Sequence, residues 1–196
     1  MKNCSNKVTI SWRHLSVKVL QWSRQWKWNE KIILRCCSGQ FSSGLNGIMG
    51  ESGAGKTTLL NVLSGSNTSG HCSGHVDYFH PNASPVSACY IGQHVHESIV
   101  SELTVGQILR YAFQFKNDNK LGKTDIEKQI EKTMVSLQLS ADLLSRPLHQ
   151  CSGGEVKRVA IAQEMMALVP PAYLFVDEPS TGELQFIAIL KLIMFL

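Results

Sequence analysis

The chain has 196 residues, 43% of them hydrophobic and 17% charged, which is enough apolar material for one domain with a sizeable core and the wrong composition for a disordered segment. Nineteen lysines and arginines against 15 aspartates and glutamates leave a net charge of +4, too small an excess to name a nucleic-acid partner. Met1 to Lys7 is polar and lacks the apolar stretch of a secretory signal. The most apolar run, Phe186 to Leu196, covers 11 residues and contains Lys191, against the roughly 20 needed to span a bilayer. Any membrane role is therefore expected to come from a partner or a further segment.

The six cysteines, Cys4, Cys36, Cys37, Cys72, Cys89 and Cys151, contain no C-x-x-C pair and suggest neither a disulfide framework nor a zinc site, so reduced thiols are expected. His71, Cys72 and His75 are of metal-ligating type but lack a fourth ligand in a defined cavity, and no metal is expected there or at His94 and His96.

In chain order, Val8 to Ile10, Leu15 to Leu20 and Ile32 to Leu34 read as short strands before a turn at Ser42 to Gly44. Leu45 to Met49 reads as a buried strand, followed by a glycine-rich loop and a helix over Thr57 to Leu63 that stops at Gly65. Ser64 to Ser73 reads as loop. His75 to Phe79 and Ala88 to Ile91 read as strands separated by Pro81 and Pro85. Thr104 and Gln107 make a capping box for a helix whose apolar face is Val105, Ile108, Leu109, Ala112 and Phe115. Thr124 and Glu127 suggest a second box, with Ile126, Ile130, Met134 and Leu137 at helical spacing. Residues from about 96 to 168 thus read as a helical insertion, closed by Pro170-Pro171 before a strand at Tyr173 to Val176.

Three stretches carry chemistry. Gly50-Glu51-Ser52-Gly53-Ala54-Gly55-Lys56-Thr57 fits G-x-x-x-x-G-K-[ST]: glycines let backbone N–H groups turn toward phosphate oxygens, Lys56 reaches the β- and γ-phosphates, and Thr57 offers a hydroxyl to Mg²⁺. The positive end of the following helix dipole adds to the attraction. A chance glycine turn is the plain alternative, and the expected strand before and helix after argue against it. Tyr173 to Val176 ends in Asp177 and Glu178, placed to hold Mg²⁺ and to polarise an attacking water; by itself such a pair is as well read as a solvated turn. Cys151-Ser152-Gly153-Gly154-Glu155-Val156-Lys157-Arg158 puts a hydroxyl and two glycines at the start of a helix running to about Ala167. That is a second anion cradle, suited to the γ-phosphate bound by another copy.

In this order the three elements resemble the ABC ATPase family over residues 8 to 182. The resemblance implies an α/β P-loop NTPase cassette with a mixed sheet core, an N-terminal antiparallel β subdomain and an inserted helical subdomain. It makes Lys56, Gln93 and Glu178 the catalytic set and Thr57, Gln93 and Asp177 the Mg²⁺ set. ATP contacts would come from residues 50 to 57 with Thr58, from Gln93, and from Ser152, Gly153 and Gly154 across a head-to-tail dimer. Gln93, after the strand Ala88 to Ile91, would be the glutamine that senses Mg²⁺ and couples the cassette to membrane helices. An aromatic before the P-loop would stack on adenine; Trp12, Trp22, Trp26 and Trp28 compete and Trp22 is favoured. With Arg24 and Lys27 among them, these tryptophans also fit a nucleic-acid or membrane-surface patch, but strand packing with one ring near the base is the plainer reading.

The run Gly50 to Leu63, together with Gly154 to Val159, is most similar to White-type subfamily G half-transporters. That similarity implies export of lipids, sterols or pigment precursors at the cytoplasmic face of a membrane, with a second cassette and a transmembrane domain as partners and no nucleic acid. The pattern breaks after Asp-Glu-Pro, where Ser180-Thr181-Gly182-Glu183-Leu184-Gln185 carries no aspartate, and at Cys151, where the signature usually has leucine. The switch histidine expected some thirty residues after Glu178 falls beyond Leu196. The chain is therefore expected to be a cassette shortened at its C-terminus, with Phe186 to Leu196 as a partly uncovered apolar helix. A nucleotide-binding partner that does not hydrolyse and a soluble ABC ATPase remain open alternatives.

Overall fold

The computed structural model describes residues 8–22, 28–66, 70–79, 88–93, 99–117, 122–169 and 171–177, with the side chains of residues 21, 22, 28, 29 and 123 outside that description. Branched and aromatic residues alternating with polar ones carry the N-terminal part into extended chain. β1 (Thr9–Trp22) pairs antiparallel with β2 (Trp28–Ser42) and with β3 (His71–Phe79), giving the order β2-β1-β3.

The two short N-terminal strands expected from the sequence are one strand, and Ile32 to Leu34 is the middle of another. Continuity survives because the irregular points are bulges. His14 (φ 52°) and Cys36 (φ 41°) leave the β region, and register shifts lie between Trp12 and Leu15 and between Leu15 and Val17. Hydroxyls replace the missing ladder partners: His14 N–H donates to Ser38 Oγ at 2.9 Å and Cys36 N–H to Ser16 Oγ at 2.9 Å.

Leu45 to Met49 is not a strand: 45–50 are irregular, and Leu45 and Met49 are 48% and 95% exposed. Asn46 supplies the reason, since its amide donates to Ser42 O at 2.7 Å and Gly44 O at 2.9 Å, closing a turn on itself. β3 begins at His71, so the loop expected through Ser73 is shorter than the glycine and serine content suggests.

α1 (Lys56–Leu63) follows the glycine loop, and β4 (Ala88–Ile91) pairs with β5 (Tyr173–Val176). One apolar core holds Ile10, Trp12, Leu15, Val17 and Leu34 from the ribbon, Leu63 from α1 and Phe175 from β5. Two tyrosines tie its edges. Tyr78 Oη donates to Leu63 O at 2.8 Å, and Tyr173 Oη to Thr9 O at 2.9 Å and Phe79 O at 2.7 Å.

The chain divides into two units, the first made of residues up to Tyr90 with Ala172–Asp177, the second beginning at Ile91 and running to Pro171. The second is helical: α2 (Val105–Lys116), α3 (Lys123–Ser136), short 3-10 turns at Ala141–Ser145 and Leu148–Gln150, and α4 (Gly153–Met165). Thr104 caps α2 with the expected box, its Oγ1 accepting from Gln107 N–H at 3.2 Å while Gln107 Oε1 accepts from Thr104 N–H at 2.9 Å.

Two details differ from expectation. Phe115 is 88% exposed and Phe113 is buried instead. The two flank the stripe on opposite sides, and the helical period does not contain which of them the rest of the helical unit covers. α3 starts one residue before Thr124, with Gly122 as its cap and Asp125 Oδ2 accepting from Gly122 N–H at 3.2 Å; Glu127 binds Arg110 at 2.9 Å instead of capping. Ile126, Ile130, Met134 and Leu137 are buried as their spacing requires. Among the described residues no helix is long and apolar enough to cross a membrane; Phe186 to Leu196 lies outside them.

Trp12 packs on Phe41 with ring centroids 4.9 Å apart and covers Gly39, its partner across the ladder. A Cβ at Gly39 would stand 2.4 Å from Trp12 Cζ2. Gly39→Ala is therefore expected to force the indole aside and cost about 1–3 kcal/mol of stability, read as a fall in urea midpoint. An unchanged midpoint would contradict the packing described.

Candidate functional site

From Gly50 to Thr57 the chain is shaped by what it lacks. Gly53 (φ +80°) and Gly55 (φ +90°) take the left-handed conformation, and Ala54 N–H closes the turn on Glu51 O at 3.2 Å. At Gly55 a side chain has no room, since a Cβ would meet Leu34 Cδ2 at 2.7 Å. Gly55 is also the N-cap of α1 and makes no side-chain cap, and the first turn contains no acidic residue. The first N–H groups of a helix have no intrahelical partner, so this end is left as a positive surface for an anion.

Lys56 arches back over that surface, its Nζ donating to Gly50 O and Glu51 O at 2.8 Å each. The two carbonyls hold the ammonium at the loop without neutralising its charge. Thr57 is exposed and Thr58 half-buried. Loop and helix match the expectation from sequence; the strand expected before them is absent, for the reason given by Asn46.

β5 delivers Asp177 into a buried position, 4% exposed. Among the described residues its side-chain partner is Tyr90, whose Oη donates to Asp177 Oδ2 at 3.4 Å, and no lysine or arginine pairs with it. Burial, then the adjacent Asp177 charge, push the Tyr90 phenol up to about 12, which keeps it a proton donor. A buried carboxylate calls for a cation. Asp177 and the Thr57 hydroxyl are each hard oxygen donors, the ligand type that Mg²⁺ takes. Nothing in the sequence pointed to Tyr90, beyond a half-buried aromatic three residues before Gln93.

In the helical unit, Ser152 caps α4. Its Oγ accepts from Glu155 N–H at 3.3 Å, and Glu155 Oε2 accepts from Ser152 N–H at 2.7 Å. Gly153 and Gly154 form the first turn. α4 ends at Met165, two residues short of the expected Ala167. Both ends of this segment are held. Before it, Leu148 N–H donates to Leu103 O and His149 N–H to Ser101 O. After it, Asn117 Nδ2 reaches Met166 O at 2.8 Å and Gln129 Nε2 reaches Met165 O at 3.0 Å.

The loop and Asp177 thus belong to the first unit, and Ser152, Gly153, Gly154 and Gln93 to the second, with Gln93 exposed just after β4. Of the tryptophans, Trp12 is excluded from stacking on a base because it is 7% exposed in the core. The Trp22 and Trp28 side chains, Trp26 and Glu178 lie outside the described residues, as do Ser180 to Gln185, Pro81, Pro85, Pro170, His94 and His96. On β3 the two-residue period sends His71 and Cys72 to opposite faces.

Residues 38–181 match the family model described as ABC transporter. The chain belongs to the ABC transporter family. Among relatives of this family member, ABC transporter G family member 14 of Arabidopsis thaliana is 33% identical over 85% of the chain and 26% of its own length. The broad substrate specificity ATP-binding cassette transporter ABCG2 of Bos taurus is 32% identical over 78% of the chain and 24% of its own length. The chain therefore spans about a quarter of the length of these G-family relatives.

The cassette fold is shared with two solved structures. One is cbiO1 from Clostridium perfringens, part of the ABC transporter complex cbiONQ (TM-score 0.64, 23% identity, 93% of this chain and 73% of that one). The other is the dimeric post-hydrolysis ATP-binding cassette MJ0796 bound to ADP and phosphate (TM-score 0.69, 18% identity, 94% of this chain and 81% of that one).

The Ser152 backbone N–H, helped by the Ser152 hydroxyl and by Arg146 and Arg158, holds the Glu155 carboxyl below its ordinary value of 4.5, against the opposing effect of burial. A carboxyl lowered on folding stabilises the fold at neutral pH, and the contribution fades as the pH falls through the lowered value. Wild type is expected to exceed Glu155→Gln by about 0.5–1 kcal/mol at neutral pH, with the gap narrowing at an acid pH below 4.5. Urea unfolding at both pH values measures it; a gap unchanged in acid would contradict the capping role.

Proposed function

We propose that this chain is the ATP-binding cassette of a G-type transporter, binding Mg·ATP and hydrolysing it to drive movement of lipid-, sterol- or pigment-like cargo across a membrane. The observation that carries the reading is the loop Gly50 to Thr57: left-handed glycines, an uncapped helix start and the Lys56 ammonium held over it. In this reading residues 50 to 58 bind the phosphates. Thr57, Asp177 and Gln93 hold the Mg²⁺, which when bound offsets phosphate charge. Lys56 contacts the terminal phosphates, Glu178 orients and deprotonates the attacking water, and Trp22 stacks on adenine.

Ser152, Gly153 and Gly154 serve the nucleotide of a second cassette in a head-to-tail pair, and Gln93 couples the site to a transmembrane domain. The chain is a single nucleotide-binding domain whose helical subdomain covers about 96–168, acting at the cytoplasmic face of a membrane. Support comes from the G-family relatives and from the two solved cassettes, of which cbiO1 is part of a transporter complex and MJ0796 is dimeric.

Equilibrium titration with Mg·ATP tests the phosphate site. Lys56→Ala is expected to weaken binding by roughly tenfold to a hundredfold, the worth of a charge-assisted contact. Glu178→Gln is expected to keep binding and abolish phosphate release. Affinity indifferent to Lys56 would overturn the site, and turnover indifferent to Glu178 would overturn the hydrolytic role.

A further inference from the structure

Asp177 is a buried acid with an unusual neighbour. β4 lies beside β5, and Cys89 and Ile91 on either side of Tyr90 are buried, which fixes the strand. The Tyr90 ring packs against the apolar core that contains Leu63 and Phe175. Its hydroxyl is thereby carried to the end of β5, where it donates to Asp177 Oδ2 at 3.4 Å. Among the described residues no other side chain holds this carboxylate.

We propose that Tyr90 is a positioning residue for the cation that accompanies the nucleotide: its phenol holds Oδ2 of Asp177, which fixes the carboxylate rotamer and leaves Oδ1 for the hydrated metal. An aspartate has two torsions and a short reach, and in a buried site an unrestrained carboxylate loses part of its binding free energy to being ordered when the metal arrives. The ring pre-orders it from a neighbouring strand. This is how second partners commonly tune metal ligands. The inference rests on the reading of residues 50 to 57 as a phosphate site and adds a residue to it that acts only through Asp177.

Tyr90→Phe keeps the packed ring and removes the donor. ATP affinity is to be measured by fluorescence titration of the full chain with Mg²⁺ and, separately, in excess chelator, for wild type, Tyr90→Phe, Asp177→Asn and the double variant. The Mg²⁺-dependent gain in affinity is expected to fall by about tenfold in Tyr90→Phe, with Mg²⁺-free affinity within twofold of wild type. In the Asp177→Asn background, Tyr90→Phe is expected to add nothing, the mark of action through one carboxylate.

An undiminished Mg²⁺ gain in Tyr90→Phe would overturn the inference, as would an equal loss on top of Asp177→Asn. Loss of Mg²⁺-free binding in Tyr90→Phe would show a role in the fold and overturn it too. Wild type that binds no ATP would instead bring down the phosphate-site reading itself.

Discussion

Leu63 and Phe175 are separated by more than a hundred residues yet are buried in the same apolar core, and everything proposed for the site depends on that. α1 begins at Lys56 and ends at Leu63; β5 ends one residue before Asp177. Burying one end of the helix and the middle of the strand in a common core brings loop and carboxylate into the same unit. Fully burying a leucine or phenylalanine stabilises by about 1.5–3 kcal/mol, so each of these burials outweighs what an exposed ion pair contributes. Tyr78 and Tyr173 add direction: one holds the last carbonyl of α1 and the other joins the start of β5 to β1 and β3.

Around this frame the site departs from what stability alone would favour. Gly53 and Gly55 sacrifice side chains and chain stiffness, α1 starts without a cap, and Asp177 sits in the interior without a basic partner among the described residues. Each feature costs free energy in the isolated chain. Each also leaves a group ready to meet a phosphate or a metal, which is the usual reason such departures persist. The helical unit shows the contrast: Ser152 and Glu155 close a reciprocal capping box at the start of α4, where α1 has none.

The sequence was most legible where a local rule sufficed. Gly55 before Lys56 sets the helix start, Thr104 and Gln107 set another, and Tyr173 to Val176 is a strand because four large residues lie between a proline pair and an acid. It was least legible where the outcome depends on something distant. Leu45, Ile48 and Met49 are apolar enough for a strand, but the amide of Asn46 captures the carbonyls of Ser42 and Gly44 and the segment stays irregular. Phe113 and Phe115 flank the apolar stripe alike on a helical wheel, and only tertiary packing buries one of them. Thr124 and Asp125 both offer capping oxygens, and only the backbone position of Gly122 selects between them. Tyr90 is the clearest case. Its meaning lies in a hydrogen bond to a residue 87 positions away, which no periodicity or composition encodes.

The central claim is that residues 50 to 57 receive the phosphates of ATP on their backbone N–H groups. Hydrogen exchange followed by mass spectrometry, with and without saturating Mg·ATP, reads those groups directly. Slowed exchange is expected, concentrated in peptides covering 50–60, with peptides of α3 unchanged. Exchange in the 50–60 peptides that is the same with and without nucleotide, under conditions where the nucleotide is bound, would contradict it.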